Sequence, residues 1–159
     1  MTNLNDCITM LIGWAFIKPY SISVELKLEE KDLPDLDEST LEDYGHIFHY
    51  LYGEVTDAKP RPTKVRITSK LEDKIQQVLI EHNGKPIPRE TLERLNYELE
   101  GCAIGEARYK VRPHGTHIAG NLLRKYGGKM TLSNINDGDY HVQTKVEIPI
   151  NPTHTLPIP

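Results

Sequence analysis

Seven histidines are the residues of this chain whose type and spacing most directly suggest chemistry. Two pairs, His46-x-x-His49 and His114-x-x-His117, have a spacing that suits two ligands of one metal ion. Neither pair has a cysteine or carboxylate cluster at motif spacing, so we interpret them as exposed or core-edge residues rather than zinc ligands. A phosphotransfer role for His46 or His49, as an exposed helical nucleophile, is the other alternative.

The bulk properties of the chain indicate one soluble globular domain. Its 159 residues, 38% hydrophobic and 26% charged, are enough for a single sizeable core. The formal net charge of −4 argues against nucleic acid as a partner, because phosphate-backbone binding needs a basic stripe. Two cysteines, Cys7 and Cys102, allow at most one disulfide, which predicts a cytoplasmic location.

An apolar run at residues 8–17 lies near the N-terminus. It is shorter than the roughly 20 residues that span a membrane. The only charge before it is Asp6, whereas a signal peptide begins with a positive region. We therefore predict no membrane insertion and treat residues 1–20 as an N-terminal apolar segment. Leu11 to Ile17 is a candidate for self-association as a homodimer, and burial in the core is the alternative.

Hydrophobic alternation predicts five strands. Between residues 21 and 28 the apolar residues occupy every second position, which is typical of a half-buried strand. In the last strand Val142, Thr144 and Val146 are predicted to point inward, after a polar turn at Asp137-Gly138. The other predicted strands are 75–81, 129–134, 140–149 and one marked by Val65 and Ile67.

Three helices are predicted between these strands. The first runs from Leu41 to Ala58, with apolar side chains three and four residues apart on one stripe. Ser39 and Glu42 are expected to form its capping box. The second begins at Pro88, where a helix tolerates proline, and the third covers residues 116–126 and ends at a Gly-Gly pair.

The order of these elements predicts the fold class. Strands and helices in this sequence favour an α/β (α+β) two-layer sandwich, with a mixed sheet and three helices on one face, over residues 21–150. Residues 151–159 contain three prolines and are predicted to form an extended tail.

Three strings occur in an informative order. The first is the helix from Leu41 to Ala58, followed by Pro60 and the strand Lys64 to Ile67. The second runs from Val78 to Leu95 and contains the segment His-Asn-Gly-Lys-Pro-Ile-Pro, and the third runs from Gly115 to Ile150. Together they resemble the N box, the G1 box and the G2 helix with its closing hairpin in the ATP-binding domain of sensor histidine kinases. The resemblance covers about residues 21–150 and implies the Bergerat-type ATPase fold.

The resemblance also implies a magnesium position on the first helix. The N-box asparagine of the family ligates magnesium, and its position here is Asp57, a residue type that also ligates magnesium. The companion position one turn earlier is Gly53, or Glu54 if the alignment shifts by one residue. ATP with magnesium is therefore the alternative cofactor, and the absence of any cofactor is our first expectation.

The base-binding position departs from the family pattern. The family's G1 aspartate, which accepts a hydrogen bond from the adenine amino group, is matched by His82, followed by Asn83 and Gly84. Loss of a hydrogen bond to a charged acceptor costs roughly 1.5–3 kcal/mol. The second G1 glycine is matched by Pro86, which adds bulk and lacks a backbone donor.

The phosphate-binding loop departs from the pattern as well. By the resemblance, the three G2 glycines fall on Val111, Pro113 and Gly115, so only Gly115 retains the residue type. Proline donates no hydrogen bond to phosphate, and valine rarely adopts a positive φ. In a different register, Gly101 or Gly105 would serve instead.

These departures lead to two main hypotheses and one variant. The first is a degenerate histidine-kinase-like domain that acts in signal transduction by docking a response regulator or a histidine kinase, with no catalytic residue. We expect no autophosphorylation, because about twenty residues precede the first strand and none is histidine. The second is an ATP- and magnesium-binding kinase domain that uses Asp57, with Asn83-Gly84 near adenine. An anti-sigma-like binding module on the same fold is the variant.

Overall fold

The centre of the fold is a mixed β-sheet. The structure is a computed structural model that describes residues 3–29, 33–100 and 115–150. Within those ranges the strands are β1 Ser23–Leu28, β2 Lys64–Glu72, β3 Ile75–His82, β4 Lys129–Asp137 and β5 Tyr140–Pro149. Their order in the sheet is β1-β2-β3-β5-β4. Strand β1 runs parallel to β2, whereas the remaining pairs are antiparallel.

The helices divide into an N-terminal group and three longer helices. The described helical elements are α1 Leu4–Met10, a π-helical turn Gly13–Ile17, α2 Lys18–Tyr20, α3 Glu38–Asp57, α4 Arg89–Leu99 and α5 Gly115–Lys125. The predicted order of strands and long helices is confirmed, with boundaries that differ by a few residues.

One face of the sheet is apolar and buried, and the other is polar. On the polar face Arg66 donates hydrogen bonds to Glu81 at 2.8 Å and to Asp137 at 2.6 Å, and Gln143 donates to Glu81 at 2.9 Å. Helices α3, α4 and α5 pack on the apolar face, so the predicted two-layer sandwich is confirmed. The buried apolar side chains of the sheet are Val65, Ile67, Val78, Ile80, Met130, Leu132, Val142, Val146 and Ile148.

Helix α3 is the central helix of the second layer. Its predicted apolar stripe is confirmed, since Tyr44, Phe48, Leu51 and Val55 are buried. The predicted capping box is wrong. The helix begins at Glu38, and the side chain of Asp37 accepts a hydrogen bond from the backbone N–H of Thr40 at 2.8 Å. An aspartate two residues before the predicted cap therefore satisfies one of the first-turn donors.

Helix α5 ends as its sequence predicts. Gly127 has φ 75°, a left-handed conformation that glycine adopts without steric cost. The N–H of Gly128 donates to the carbonyl of Leu123 at 2.9 Å, and the N–H of Gly127 donates to the carbonyl of Arg124 at 3.1 Å. This pattern pairs two carbonyls that the helix end would otherwise leave without partners.

Strand β1 is less buried than its alternation predicts. Ile22, which precedes the strand, is buried and Val24 and Leu28 are half-buried, but Leu26 is 43% exposed. The strand lies at the edge of the sheet, where the helical layer covers it only in part. Alternation alone does not distinguish an edge strand from a central one.

The N-terminal segment has a buried side and an exposed side. Ile8 and Phe16 are fully buried in the core, and the hydroxyl of Tyr52 donates to the carbonyl of Ile8 at 2.6 Å. Trp14 and Ile17 are 68% and 51% exposed. Burial in the core is therefore confirmed for one side of the segment, and self-association through the exposed side stays a prediction. No helix in the described ranges is long and apolar enough to cross a membrane.

We predict that Tyr52→Phe lowers the free energy of unfolding by about 1–2 kcal/mol, because the buried carbonyl of Ile8 loses its hydrogen bond. Urea denaturation measures the effect. Tyr50→Phe is the matched control, since Tyr50 lies on the same helix, is half-buried and makes no hydrogen bond through its hydroxyl to another described residue. Equal unfolding free energies of Tyr52→Phe and Tyr50→Phe would contradict a stabilising hydrogen bond from Tyr52 to Ile8.

Candidate binding cleft

A cleft of about 460 Å³ lies where α3, β3 and α5 meet. Its volume falls within the range that accommodates small-molecule ligands. Helix α4 and strands β4 and β5 complete its walls. The described residues that line it are Leu51, Glu54, Val55, Asp57, Ala58, His82, Lys85, Ile87, Thr91, Leu95, Thr116, Leu132, Val142 and Thr144.

Two carboxylates from the last turn of α3 line the cleft. Glu54 and Asp57 are three residues apart, a spacing that places both on the same side of a helix. Gly53 instead lines a separate cavity that includes Trp14 and His49. Of the two candidates for the companion of Asp57, the structure places Glu54 in the cleft. The pair offers oxygen ligands of the kind that magnesium prefers.

His82 lies at the end of β3 and borders the cleft with a fixed ring orientation. Its side chain is 7% exposed, and Nδ1 accepts a hydrogen bond from the backbone N–H of Gly84 at 3.0 Å. Burial, with a smaller contribution from His141, lowers the pKa of His82 to about 4. The ring is therefore neutral near pH 7, and because Nδ1 accepts, its proton is on Nε2.

Gly84 is needed at its position because the imidazole approaches its backbone. A Cβ atom there would lie 2.7 Å from Nδ1 of His82, closer than real contacts allow. Any larger residue would force the ring to move. The requirement for glycine is steric. The close approach of the imidazole that excludes a Cβ atom also brings Nδ1 within hydrogen-bond distance of the Gly84 N–H.

Asn83 connects the site to the β2 strand instead of lining the cleft. Its side-chain oxygen accepts from the backbone N–H of Thr63 at 2.9 Å and of Lys64 at 3.0 Å. Its amide group donates to the hydroxyl of Thr63 at 2.8 Å. These three hydrogen bonds hold the turn after β3 against the start of β2.

The remaining predicted site residues fall in different places. Pro86 is exposed and does not line the cleft. Gly115 is the first residue of α5, and its neighbour Thr116 is a lining residue. Val111 and Pro113 lie outside the described residues. The same is true of Gly101, Gly105, Cys102 and His114.

Of the two histidine pairs, the structure describes His46, His49 and His117. His46 and His49 are exposed on α3, and Nε2 of His46 lies 3.8 Å from a carboxylate oxygen of Glu42. His117 is buried, and its Nε2 contacts a carboxylate oxygen of Glu98 on α4. Among the described residues, no group of three or more His, Cys, Asp or Glu side chains is arranged to hold a metal ion.

Several lining residues were not singled out from the sequence. Lys85, Thr91 and Thr116 have no motif spacing that distinguishes them from ordinary polar residues. Thr144 was predicted to point inward, and this is confirmed, since it is 9% exposed and lines the cleft. The sequence did contain a signal for Thr144 as a site residue. It is a threonine among valines in an inward-facing series, and a buried hydroxyl needs a hydrogen-bond partner.

We predict that His82 makes stability fall between pH 6.5 and 4. Its pKa is about 4 in the folded state and about 6.5 in the unfolded chain, so in this window the unfolded state binds the extra proton. Below pH about 4 both states are protonated and the effect is complete. The total loss is on the order of 3 kcal/mol.

Urea denaturation at a series of pH values measures this loss. The difference in unfolding free energy between wild type and His82→Gln should shrink as the pH falls. His46→Gln, which removes an exposed histidine, should leave the pH profile unchanged. If the difference in unfolding free energy between wild type and His82→Gln stays constant as the pH changes, the prediction is contradicted.

No protein-family model matches the chain, and no curated protein matches it. Solved structures do. The catalytic domain of the histidine kinase ThkA has a TM-score of 0.69 at 20% identity, over 96% of this chain and 97% of that one. The mycobacterial sensor histidine kinase MprB gives 0.66 at 15% identity, over 96% and 99%. ThkA in complex with the response regulator protein TrrA gives 0.67 at 20% identity, over 93% and 40%. The chain therefore has the fold of the catalytic domains of sensor histidine kinases.

Proposed function

We propose that this domain is a cytoplasmic signal-transduction protein that docks a response regulator or a histidine kinase and catalyses neither ATP hydrolysis nor autophosphorylation. Two observations support the docking role. The fold is that of histidine kinase catalytic domains, and one similar protein, ThkA, forms a complex with a response regulator. The argument against catalysis comes from the cleft.

The observation that carries the proposal is the hydrogen bond from Gly84 to His82. By the resemblance, the residue at this position accepts a hydrogen bond from the adenine amino group. His82 instead presents Nε2–H, a second donor, because Nδ1 already accepts from the backbone N–H of Gly84. The opposite tautomer would direct two N–H groups at each other. Adenine does not fit this donor set, and a buried donor left without a partner costs about 1–3 kcal/mol.

The carboxylates of the cleft favour the alternative function. Glu54 and Asp57 fit the usual magnesium arrangement, in which one or two carboxylates bind the ion together with the phosphates of a nucleotide. The cleft is also wide enough to admit a ligand. An ATP- and magnesium-dependent kinase domain, or an anti-sigma-like module, is therefore the second candidate.

We predict that ATP with magnesium binds no more tightly than about 1 mM, which corresponds to roughly 4 kcal/mol. Isothermal titration calorimetry on the purified chain measures the affinity. Tighter binding that is lost in Asp57→Ala but retained in Glu42→Ala would refute the proposal and favour the kinase. Glu42 is a suitable control because it is an exposed carboxylate on the same helix, outside the lining residues.

A homodimer through the N-terminal segment is part of the proposal. Met10, at the end of α1, and Trp14 and Ile17, in the π-helical turn, are 56%, 68% and 51% exposed. The side chain of Lys18 lies over the ring of Trp14, with Nζ 4.0 Å from its centroid. Removal of this apolar surface from water would favour association.

We predict that Trp14→Ser weakens self-association at least about tenfold, because a large aromatic at an interface typically contributes more than 1.4 kcal/mol. Light scattering during size-exclusion chromatography, over a range of concentrations, gives the molar mass. Leu26→Ser is the control, since Leu26 is also exposed but lies on β1. A monomeric wild type at all concentrations would exclude the homodimer.

A further inference from the structure

We propose that the cleft binds a purine nucleotide whose ring has a carbonyl oxygen at C6, that is, a guanine or hypoxanthine nucleotide. The juxtaposition that carries the proposal is the Nε2–H donor of His82 beside the hydroxyl of Thr144, between apolar walls of the cleft. The inference goes beyond the docking function, which requires no ligand in the cleft.

The donor of His82 has no partner in the described part of the chain. The side chain is more than nine-tenths buried, and its one hydrogen bond is accepted at Nδ1 from Gly84. The Gly84 N–H fixes the tautomer, so Nε2 is the polar atom left for a ligand. A donor with no protein partner on a largely buried side chain that borders a cleft favours a ligand with an acceptor at that point.

Thr144 supplies the second polar contact of the recognition surface. In the β3–β5 pairing, His82 lies opposite Val142 and Ile80 lies opposite Thr144. Thr144 is therefore the diagonal neighbour of His82 on the same face, a distance within reach of an imidazole ring. Its hydroxyl has no partner among the described side chains and can accept or donate.

The polar edge of a 6-oxopurine complements this pair of groups. Its C6 carbonyl oxygen accepts a hydrogen bond, and the adjacent N1–H donates one. His82 Nε2–H would donate to the carbonyl, and the Thr144 hydroxyl would accept from N1–H. Adenine presents the reverse pattern, an amino donor beside an acceptor nitrogen, so its amino group would oppose the His82 donor.

The walls of the cleft suit a flat ring. Leu51 and Val55 come from α3, Leu95 comes from α4, and Leu132 and Val142 come from β4 and β5. Such apolar walls bind an aromatic heterocycle by removing its faces from water. With a volume of about 460 Å³, the cleft has space for a nucleotide rather than for the base alone.

The charged groups of the cleft indicate a phosphorylated ligand bound with a divalent cation. Lys85 and the first turn of α5, where Thr116 lines the cleft, favour anionic groups. Glu54 and Asp57 would repel a bare phosphate, so the phosphates must arrive with magnesium. A magnesium complex of a nucleoside diphosphate or triphosphate satisfies both requirements.

Calorimetric titration with GDP, IDP and ADP, each with magnesium, tests the proposal on the full chain. We expect GDP and IDP to bind at least about tenfold more tightly than ADP, because adenine leaves the His82 donor without a partner. His82→Asp replaces the donor by an acceptor and should reverse the order, so that ADP binds best. His49→Asp, at an exposed histidine outside the cleft, should retain the wild-type order.

A second measurement covers the case in which His82→Asp does not fold. ¹⁵N NMR of the imidazole nitrogens in the wild type should show a protonated Nε2 whose shift changes on addition of GDP. Equal affinity for GDP and ADP, no GDP binding, or a proton on Nδ1 would overturn the inference. Absence of all nucleotide binding would leave the docking function standing, whereas tight binding of ADP and ATP would overturn both.

Discussion

The burial of α3 on several sides is the constraint on which the rest of the fold depends. Its aromatic residues contact both flanks, since the rings of Phe16 and Tyr52 lie 4.9 Å apart and those of Tyr44 and Tyr126 lie 5.0 Å apart. Complete burial of one large apolar side chain stabilises a fold by roughly 1.5–3 kcal/mol. The N-terminal segment, α5 and the sheet all use this one helix as their packing partner. A helix held in this way has little freedom to rotate.

The cleft follows from that constraint. The last turn of α3 carries Glu54 and Asp57, which line the cleft together with His82 at the end of β3 and Val142 near the start of β5. The fold therefore determines where a ligand can lie, and the side chains determine which ligand. In this chain the residue at the end of β3 is His82, whose ring accepts a hydrogen bond at Nδ1 from Gly84 and so has its donor at Nε2.

The sequence predicted the elements that depend on periodicity and missed those that depend on contacts between distant residues. The stripe of α3, the Gly-Gly end of α5 and the inward position of Thr144 all follow from local spacing, and each is confirmed. The helix cap was wrong because Asp37 and Ser39 both satisfy the local pattern, and only the backbone geometry selects one of them. The tautomer of His82 depends on a ring that turns back on Gly84, which spacing does not reveal.

The hydrogen bonds of the turn after β3 also affect the deamidation of Asn83. An Asn-Gly dipeptide deamidates when the glycine nitrogen attacks the side-chain carbonyl carbon of asparagine, and asparagine is a thermolabile residue for such reasons. In this turn the carboxamide of Asn83 is held by Thr63 and Lys64, and the N–H of Gly84 is held by His82. Both reacting groups are thus restrained. The hydrogen bonds that hold this turn therefore also oppose the conversion of Asn83 to an aspartate beside the cleft.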